Sequence, residues 1–416
     1  MQLSLARESL RQRRLATGLA ACSIALSVSL LLGVDLVRLG ARESFTGAVS
    51  GTDLIVGSRS SPLQLTLYTV FGIGSGVAGV SSPTWEKYSR HPAVEWTAPL
   101  AFGDSYRGFR VLGTNDEFFE RYRFHGGRHL VFRAGDAPRS SRQAALGSAV
   151  AAELGNGLGD ALVVAHGVQE HALLEHEDAP FDVVGVLERT NTPLDRTVFI
   201  TLAGVGAMHE EYAEHSGDDF DQDEDPDAQE RSPASLTAFL VGLESRPDVL
   251  RLKREIEEDE DEPLTAVMPA VALHELWTTI GYAERALQAI SIAVVITSLI
   301  SVLISLYSTL QERRREIAVL RAVGLGRRQI LLLLTVEAGL LAASGAVLGV
   351  AVVYAALFAL QPTLEAMIGL HLPIRALGPT HLIWLSAVVL AALALGLVPG
   401  WQAYRRSLAD GLAVRL

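Results

Sequence analysis

The chain has 416 residues, of which 49% are hydrophobic and 20% charged, with 47 acidic against 35 basic side chains. A net charge of −12 argues against a basic nucleic-acid-binding protein, and the single cysteine excludes an intrachain disulfide and a cysteine-based zinc cluster. Neither lysine, Lys87 or Lys253, stands in a P-loop motif, so the sequence contains no nucleotide site of that type.

The charge is divided unevenly along the chain. Residues 41–285 contain 40 acidic and 20 basic side chains, a net charge of −20, whereas the remainder contains 7 acidic and 15 basic side chains, a net charge of +8. An acidic region and a basic, apolar remainder face different surroundings. This division is typical of an aqueous domain joined to membrane spans with basic flanks.

Four apolar stretches are long enough to cross a bilayer, which requires about 20 residues. The predicted spans are residues 15–40, 286–310, 330–360 and 381–401. The third is longer than a bilayer requires, which indicates that it tilts or extends past the membrane. Asp35, near the end of the first span, is expected to pair with Arg38.

Arginine placement predicts the orientation of these spans. The short loop 361–380 has a single arginine, Arg375, whereas three other short segments are rich in arginine: residues 1–14, 311–329 and 402–416. The positive-inside rule therefore places both termini in the cytoplasm and residues 41–285 outside it. Residues 1–14 suit either an amphipathic helix on the inner membrane surface or a solvated basic tail.

The external region, residues 41–285, mixes short β-like runs with helical stretches. The predicted strands are Asp53–Val56, Val94–Ala101, Phe109–Leu112, Ala161–Val164, Phe181–Leu187, Val198–Leu202, Leu236–Leu243 and Leu264–Met268. The predicted helices are Thr84–Ser89, Asp116–Tyr122, Gly147–Leu154, Pro247–Glu257 and Ala270–Arg285, the last as a stalk that leads into the second span. The fold class is a membrane protein with four transmembrane α-helices and a large α+β extracytoplasmic domain between the first and second spans.

Histidines and acids in two polar stretches suggest a metal site. One stretch interleaves three histidines with carboxylates, and in the other two histidines flank the start of Glu210–Glu230, which has 11 acids in 21 residues. Imidazole and carboxylate groups suit zinc, but the five-residue steps fit neither a helix face nor a strand face. Polar loops and a zinc site both remain open. The candidate ligands are His166, His171, His176, His209 and His215.

The most informative stretch is Gln311–Gln329, which reads QERRREIAVLRAVGLGRRQ. Ile317, Leu320 and Val323 recur at helical spacing, and the arginines take other faces. The pattern predicts a short amphipathic helix on the inner membrane surface. The simpler alternative is a basic loop that only sets the topology.

This stretch, continued through Ile330 to Glu337, resembles the signature of the MacB/FtsX-type ABC transporter permeases. The whole plan is similar too: a basic N-terminal helix, one span, a large external domain and three further spans. The resemblance implies that residues 311–329 form the coupling helix that seats in a groove of a separate cytoplasmic ABC ATPase. It assigns this role to Glu312, Arg313, Arg314, Arg315, Glu316, Arg321, Gly324, Arg327 and Arg328.

Further expectations come with the resemblance. It implies a multi-pass protein of the bacterial inner membrane that works as a homodimer, with ATP and Mg²⁺ bound by the partner ATPase. The intramembrane residue Glu337 matches a glutamate of the family, and we expect it to cap the coupling element through Arg327 or Arg328. Two glycine pairs could pack helices within or between chains, Gly345 with Gly349 and Gly396 with Gly400.

The leading interpretation is a non-catalytic permease subunit that works by mechanotransmission to export or extract an envelope substrate. No catalytic or cofactor-binding residue is predicted in this chain, and zinc is the one metal considered. Further partners would be the lipid bilayer and a periplasmic protein or lipoprotein, but not nucleic acid. Two alternatives stay open, namely an FtsX-like regulator of a periplasmic cell-wall hydrolase and a zinc-linked envelope membrane protein.

Overall fold

The computed structural model of the chain describes residues 14–74, 76, 78–166, 180–208, 233–312, 326–368 and 373–406. The chain divides into two compact units. The membrane unit comprises Met1–Gly40, Ile280–Pro362 and Pro373–Leu416, and the large unit comprises Ala41–Thr279 and Thr363–Leu372.

Four long helices account for the apolar stretches of the sequence. They are α1 (Arg14–Ala48), α7 (Pro269–Glu312), α8 (Arg327–Ile368) and α9 (Pro379–Arg406). Each contains a segment long and apolar enough to cross a membrane: Thr17–Ala48, Pro269–Ser308, Arg328–Glu365 and Pro379–Pro399. All four predicted spans lie within these helices, and α7 continues the stalk helix into the second span as predicted.

The large unit adds shorter helices and fifteen named strands among the described residues. The short helices are α2 (Pro62–Thr66), α3 (Ser82–Ser89), α4 (Asp116–Arg121), α5 (Ser148–Leu154) and α6 (Val249–Glu257). The strands are β1 (Leu54–Ser58), β2 (Val80–Ser81), β3 (Val94–Tyr106), β4 (Phe109–Thr114), β5 (Arg123–Phe124), β6 (Arg128–His129), β7 (Phe132–Gly135), β8 (Gln143–Leu146), β9 (Ala161–Leu162), β10 (Ala165–His166), β11 (Phe181–Leu187), β12 (Thr197–Thr201), β13 (Ser235–Leu236), β14 (Ala238–Leu243) and β15 (Leu264–Val267).

One mixed sheet organises the large unit. Its main path is β15-β1-β14-β3-β4-β12-β8-β11-β7. Neighbours along this path run antiparallel except for β12 with β4 and β11 with β8, which run parallel. The α+β class is confirmed. All eight predicted strands overlap observed ones. The strands β7 and β8 of this path were not predicted, and neither were the two-residue strands β2, β5, β6 and β10.

Both faces of the sheet are covered, and successive residues of a strand enter different cores. In β12, Phe199 packs with Phe118 and Phe119 on one face, with ring centroids 6.0 and 5.6 Å apart. Val198 and Ile200 enter the core on the opposite face. This two-residue alternation is the consequence of strand geometry and places the large aromatic rings in the interior.

The membrane unit packs through small residues. A Cβ atom on Gly345 would lie 2.7 Å from Cβ of Ile24, and one on Gly349 would lie 2.9 Å from Cβ of Val28. The missing side chains let α1 and α8 approach closely, as small-residue pairs do in lipid. Of the two uses considered for this glycine pair, the structure shows packing within the chain.

Candidate coupling sites

The end of α7 and the start of α8 frame the predicted coupling segment. Helix α7 ends at Glu312, and α8 begins at Arg327 directly after Gly326. The Gln329 side chain accepts a 2.9 Å hydrogen bond from the Gly326 N–H, which caps the first turn of α8. Six of the residues assigned to ATPase coupling lie in 313–325, outside the described residues: Arg313, Arg314, Arg315, Glu316, Arg321 and Gly324. Arg328 is exposed, as a protein-contact residue has to be in the free subunit.

The predicted intramembrane glutamate lies in the interior of the membrane unit. Glu337 is 4% exposed and stands three turns into α8. An ionisable group in this position is costly in a bilayer and marks a functional or paired site. Its expected role as a cap for the coupling segment stays a prediction.

The external end of α1 is fastened to the large unit by backbone hydrogen bonds. The Tyr122 hydroxyl donates to the Ala48 carbonyl, and the His125 N–H donates to the Gly47 carbonyl at 2.7 Å. Two residues beyond the end of α1, the Ser50 N–H donates to the Arg123 carbonyl at 2.9 Å. Burial raises the pKa of the Tyr122 phenol, which therefore stays a neutral donor. These bonds satisfy carbonyls that a helix end leaves without partners.

An aromatic cluster joins α1 to α7 at this same level. The Phe45 ring of α1 lies 4.4 Å from that of Phe71 and 5.9 Å, edge to face, from that of Trp277 of α7. Ala48 and Leu273 complete the cluster and are nearly inaccessible. We call these five residues the stalk joint. Aromatic pairs of this geometry contribute about 0.5–1.5 kcal/mol beyond the area they bury, so the joint is a specific contact between two helices that continue into spans.

A buried polar network links three helices in the membrane unit. His381 Nε2 lies 2.9 Å from the Asp35 carboxylate, and both residues are less than 10% exposed. Arg38 bridges the Asp35 carboxylate at 3.3 Å and that of Glu284 at 3.0 Å. The expected pair of Asp35 with Arg38 is present, but it is part of a larger network of Asp35, Arg38, Glu284 and His381, which we call the outer network.

The orientation of the His381 imidazole follows from its partners. Nδ1 accepts a 2.9 Å hydrogen bond from the Gly378 N–H, just before the start of α9. Nε2 therefore carries the proton and donates it to Asp35. One side chain thus caps the first turn of α9 and binds α1. His381 was not among the predicted site residues, because a single histidine before an apolar run carries no signal of a partner 346 positions away.

Part of the acidic excess of the large unit serves internal contacts. Asp259, 2% exposed at its side chain, accepts a 2.8 Å bond from Lys87 Nζ and another from the Tyr88 hydroxyl. Burial opposes ionisation of Asp259, but these donors outweigh it and lower its pKa to about 2. Glu262 accepts from the Ser81 N–H at 3.0 Å. Residues 255–262 contain seven acids, and these two of them therefore stabilise the fold.

The predicted metal ligands are mostly outside the part of the chain that is described. This applies to His171, His176, His209 and His215, whereas His166 is placed by its backbone, which pairs with Asp104 in the β10–β3 ladder. Among the described residues, no group of three or more His, Cys, Asp or Glu side chains could hold a metal ion. Zinc binding stays a prediction of the sequence.

Comparisons with known proteins bear on both units. A family model described as "MacB-like periplasmic core domain" matches residues 17–258, and one described as "FtsX-like permease C-terminal" matches residues 289–408. A search of curated proteins found no match.

Two solved structures are similar to part of this chain. The periplasmic region of MacB from Actinobacillus actinomycetemcomitans is 11% identical with a TM-score of 0.35, covering 56% of this chain and 94% of that one. The extracellular domain of the noncanonic ABC-type transporter YknZ from Gram-positive bacteria is 13% identical with a TM-score of 0.31, covering 51% of this chain and 98% of that one.

Proposed function

We propose a mechanical role for this chain, which belongs to the MacB/FtsX-type family of ABC transporter permeases and is a multi-pass membrane subunit with a periplasmic domain. In the proposed cycle, a separate cytoplasmic ATPase hydrolyses ATP and moves the segment Glu312–Arg328. The spans pass this movement to the periplasmic domain. The work performed is the export or extraction of an envelope substrate.

The stalk joint is the observation that carries the proposal. Helices α1 and α7 are each continuous from a membrane-spanning segment to this cluster. Their ends pack on one another through Phe45 and Trp277, and α1 is also bonded to the domain by Tyr122 and His125. A displacement of either span therefore has a stiff path to the sheet, because a helix transmits force along its hydrogen-bonded axis.

The composition of the spans favours a mechanical role over a transmembrane channel for hydrophilic solutes. Residues 286–310 contain no charged side chain, and residues 382–401 contain none. Routes for polar solutes are lined by polar and ionisable groups, which are expensive in a membrane and persist where function needs them. Substrate would then be handled by the periplasmic domain and the outer leaflet.

The proposal includes a homodimer with two ATPase subunits and with both termini in the cytoplasm. The asymmetry of arginine content supports this orientation. ATP and Mg²⁺ would be bound by the ATPase, because this sequence has no P-loop. The contribution of this chain would then be the contact with the ATPase, which lies on residues 311–329.

The ATPase contact can be tested by reversing two charges. We predict that Glu316→Lys combined with Arg321→Glu abolishes co-purification with the cognate ATPase, because the coupling segment then opposes the charges of its groove. Membrane insertion, measured by protease protection of the periplasmic domain, should be unchanged. The matched control is Glu275→Lys with Arg285→Glu, two exposed positions on α7 on the periplasmic side. Normal co-purification of the first pair would contradict the assignment.

Transmission through the stalk joint can be tested separately. We predict that Trp277→Ala leaves ATPase binding intact but removes the response of the periplasmic domain to ATP, measured as a change in its protease cleavage pattern. Trp401→Ala, at a position that is 55% exposed, is the matched control and should behave as wild type. An unaltered ATP response in Trp277→Ala would show that movement takes another route.

A further inference from the structure

The periplasmic domain contains a basic segment, residues 121–133, within an acidic region. The segment has four arginines, two histidines and no acid, whereas residues 41–285 as a whole have a net charge of −20. Its arginines are Arg121, Arg123, Arg128 and Arg133. A concentration of one charge on a surface is paired within the protein, solvated, or offered to an anionic partner.

Ion pairs within the chain leave most of this charge unneutralised. Among the described residues, the one ion pair of the segment joins Arg121 to Glu95, at 2.9 Å. The Arg123 guanidinium instead donates to the His129 imidazole, which is neutral as an acceptor. Three exposed acids of nearby elements form no ion pair with the segment in the described part of the chain: Asp116, Glu120 and Glu188. The segment therefore presents net positive charge to its surroundings.

A short hairpin positions the middle of the basic segment. Strands β5 and β6 pair antiparallel, with Phe124 opposite Arg128. The turn between them, residues 125–127, has positive φ throughout, which its two glycines allow. The Arg128 guanidinium lies 4.7 Å from the centre of the buried Phe124 ring. A cation–π contact orients a guanidinium without neutralising it, so Arg128 is an exposed cation held in place by the hairpin.

The hairpin lies against the external end of α1. The His125 N–H donates to the Gly47 carbonyl, and the His125 ring fills the space that a side chain on Gly47 would occupy. Gly47 stands seven residues beyond residue 40, the end of the predicted first span, which is at most about 10 Å from the hydrocarbon core. The headgroup layer covers about 5–8 Å of this distance. The hairpin is therefore within one Debye length, about 8 Å at physiological ionic strength, of the lipid phosphates.

We propose that residues 121–133 dock on the periplasmic surface of the bilayer by binding the phosphates of anionic phospholipids. Charge and position both favour this partner. The bilayer surrounds α1 on all sides, so headgroups are within reach in whichever direction the hairpin faces. An acidic protein would instead have to approach α1 within about 10 Å of the hydrocarbon core. Each arginine near an anionic membrane surface strengthens the attraction about fivefold.

Docking of the hairpin restrains the point at which α1 enters the domain. Tyr122, within the basic segment, donates to the Ala48 carbonyl, and His125 donates to that of Gly47. A headgroup bound at Arg128 is therefore connected to the last turn of α1 through two hydrogen bonds. This contact requires the periplasmic placement of the domain but not its ATP-driven movement, so it can fail or hold independently of the mechanical role.

The headgroup contact can be measured on the full-length permease in nanodiscs. The probe is phosphatidylglycerol with a photoactivatable diazirine on its headgroup, and the readout is its crosslinking to peptides containing residues 121–133. Arg128→Gln should reduce this crosslinking about fivefold, and Arg128→Gln combined with Arg133→Gln about 25-fold. The matched control is Arg107→Gln, at an exposed arginine in the β3–β4 turn that also lies over an aromatic ring, that of Tyr106. Equal crosslinking in the double variant and the control would overturn the proposal.

Wild-type protein provides a test that does not depend on the folding of any variant. Crosslinking of the segment should be at least about fivefold stronger with the phosphatidylglycerol probe than with the matching phosphatidylcholine probe. Raising the salt concentration from about 0.15 to about 1 M shortens the Debye length from about 8 to about 3 Å and should remove this preference. A preference that persists in high salt, or crosslinks confined to the spans, would refute headgroup docking. Protection of Arg128 from chemical modification by an acidic protein, without lipid crosslinks, would assign the segment to that protein and also refute it.

Discussion

The periplasmic domain and the membrane unit reach a stable interior by different means. The domain buries large rings such as Phe118, Phe199 and Phe239, each 2% exposed or less, between a sheet and its helices. The membrane unit instead brings Gly345 and Gly349 against Ile24 and Val28. In water, burial of apolar area drives folding, whereas lipid tails are as apolar as leucine and helices associate through close contact.

Polar groups show the same contrast. In the domain, Asp259 and Glu262 are bonded to side chains and backbone near the surface. In the membrane unit, Asp35 and His381 meet in the interior, where an unpaired charge is much more costly. The proposed mechanical path leads from the membrane unit to the periplasmic domain. Its stalk joint is packed through aromatic rings, as the interior of the domain is.

The largest effect should come from truncating an aromatic ring of the domain core. We predict that Phe199→Ala lowers the free energy of unfolding by about 3–5 kcal/mol. Phe358→Ala removes the same side chain from a lipid-facing position that is 74% exposed and should cost far less. Denaturant unfolding in detergent micelles, followed by tryptophan fluorescence, compares the two. Similar costs would show that the lipid-facing ring is packed against protein.

Because the membrane unit is closely packed, Gly→Ala substitutions at two of its positions should change stability in opposite directions. Gly345→Ala should destabilise by about 1–3 kcal/mol, since its Cβ would collide with Ile24. Gly18→Ala should be neutral or stabilising by up to about 1 kcal/mol, because a Cβ there meets nothing within 4 Å and alanine is the better helix former. Thermal aggregation in detergent measures both. A stabilising Gly345→Ala would mean that α1 and α8 are farther apart.

Of the three kinds of substitution, those in the outer network should have the smallest effect on stability. We predict that His381→Leu destabilises by about 1–2 kcal/mol. A double-mutant cycle with Asp35→Asn should give a coupling of about 0.6 kcal/mol and at most about 1.7 kcal/mol, the mean and the maximum for polar contacts between membrane helices. His274→Leu, at an exposed position of α7, serves as the control and should show no coupling. A coupling near zero would place the two side chains in separate environments.

The sequence predicted elements better than it predicted their partners. Hydropathy predicted the span within α7, and alternation predicted β12, because both signals are local. The parallel pairing of β12 with β4 depends on residues more than 80 positions apart and left no local trace. Strand β8, Gln143–Leu146, was missed because four residues with two alanines have neither the length nor the branched side chains typical of strands.

The candidate sites also differ in whether their sequence signal is local or depends on distant segments. The coupling segment was predicted from its motif and stays a prediction. The Asp35–Arg38 pair was predicted from the closeness of the two residues in the sequence, and it is present. The stalk joint was not predicted, because Phe45, Phe71 and Trp277 come from three separate stretches and each resembles an ordinary core residue. His381 was missed for the same reason. Contacts between distant segments are set by the tertiary fold, which a single sequence does not display.

The central claim is that ATP turnover in the cytoplasm moves the periplasmic domain. The direct measurement is the distance between spin labels at Glu258→Cys, an exposed position on the domain, in a Cys22→Ser background of the proposed homodimer bound to its ATPase. We predict that ATP and Mg²⁺ shift the distance distribution between the two labels in wild-type protein and do not shift it in Trp277→Ala. Steady ATP hydrolysis with an unchanged wild-type distribution would contradict the account.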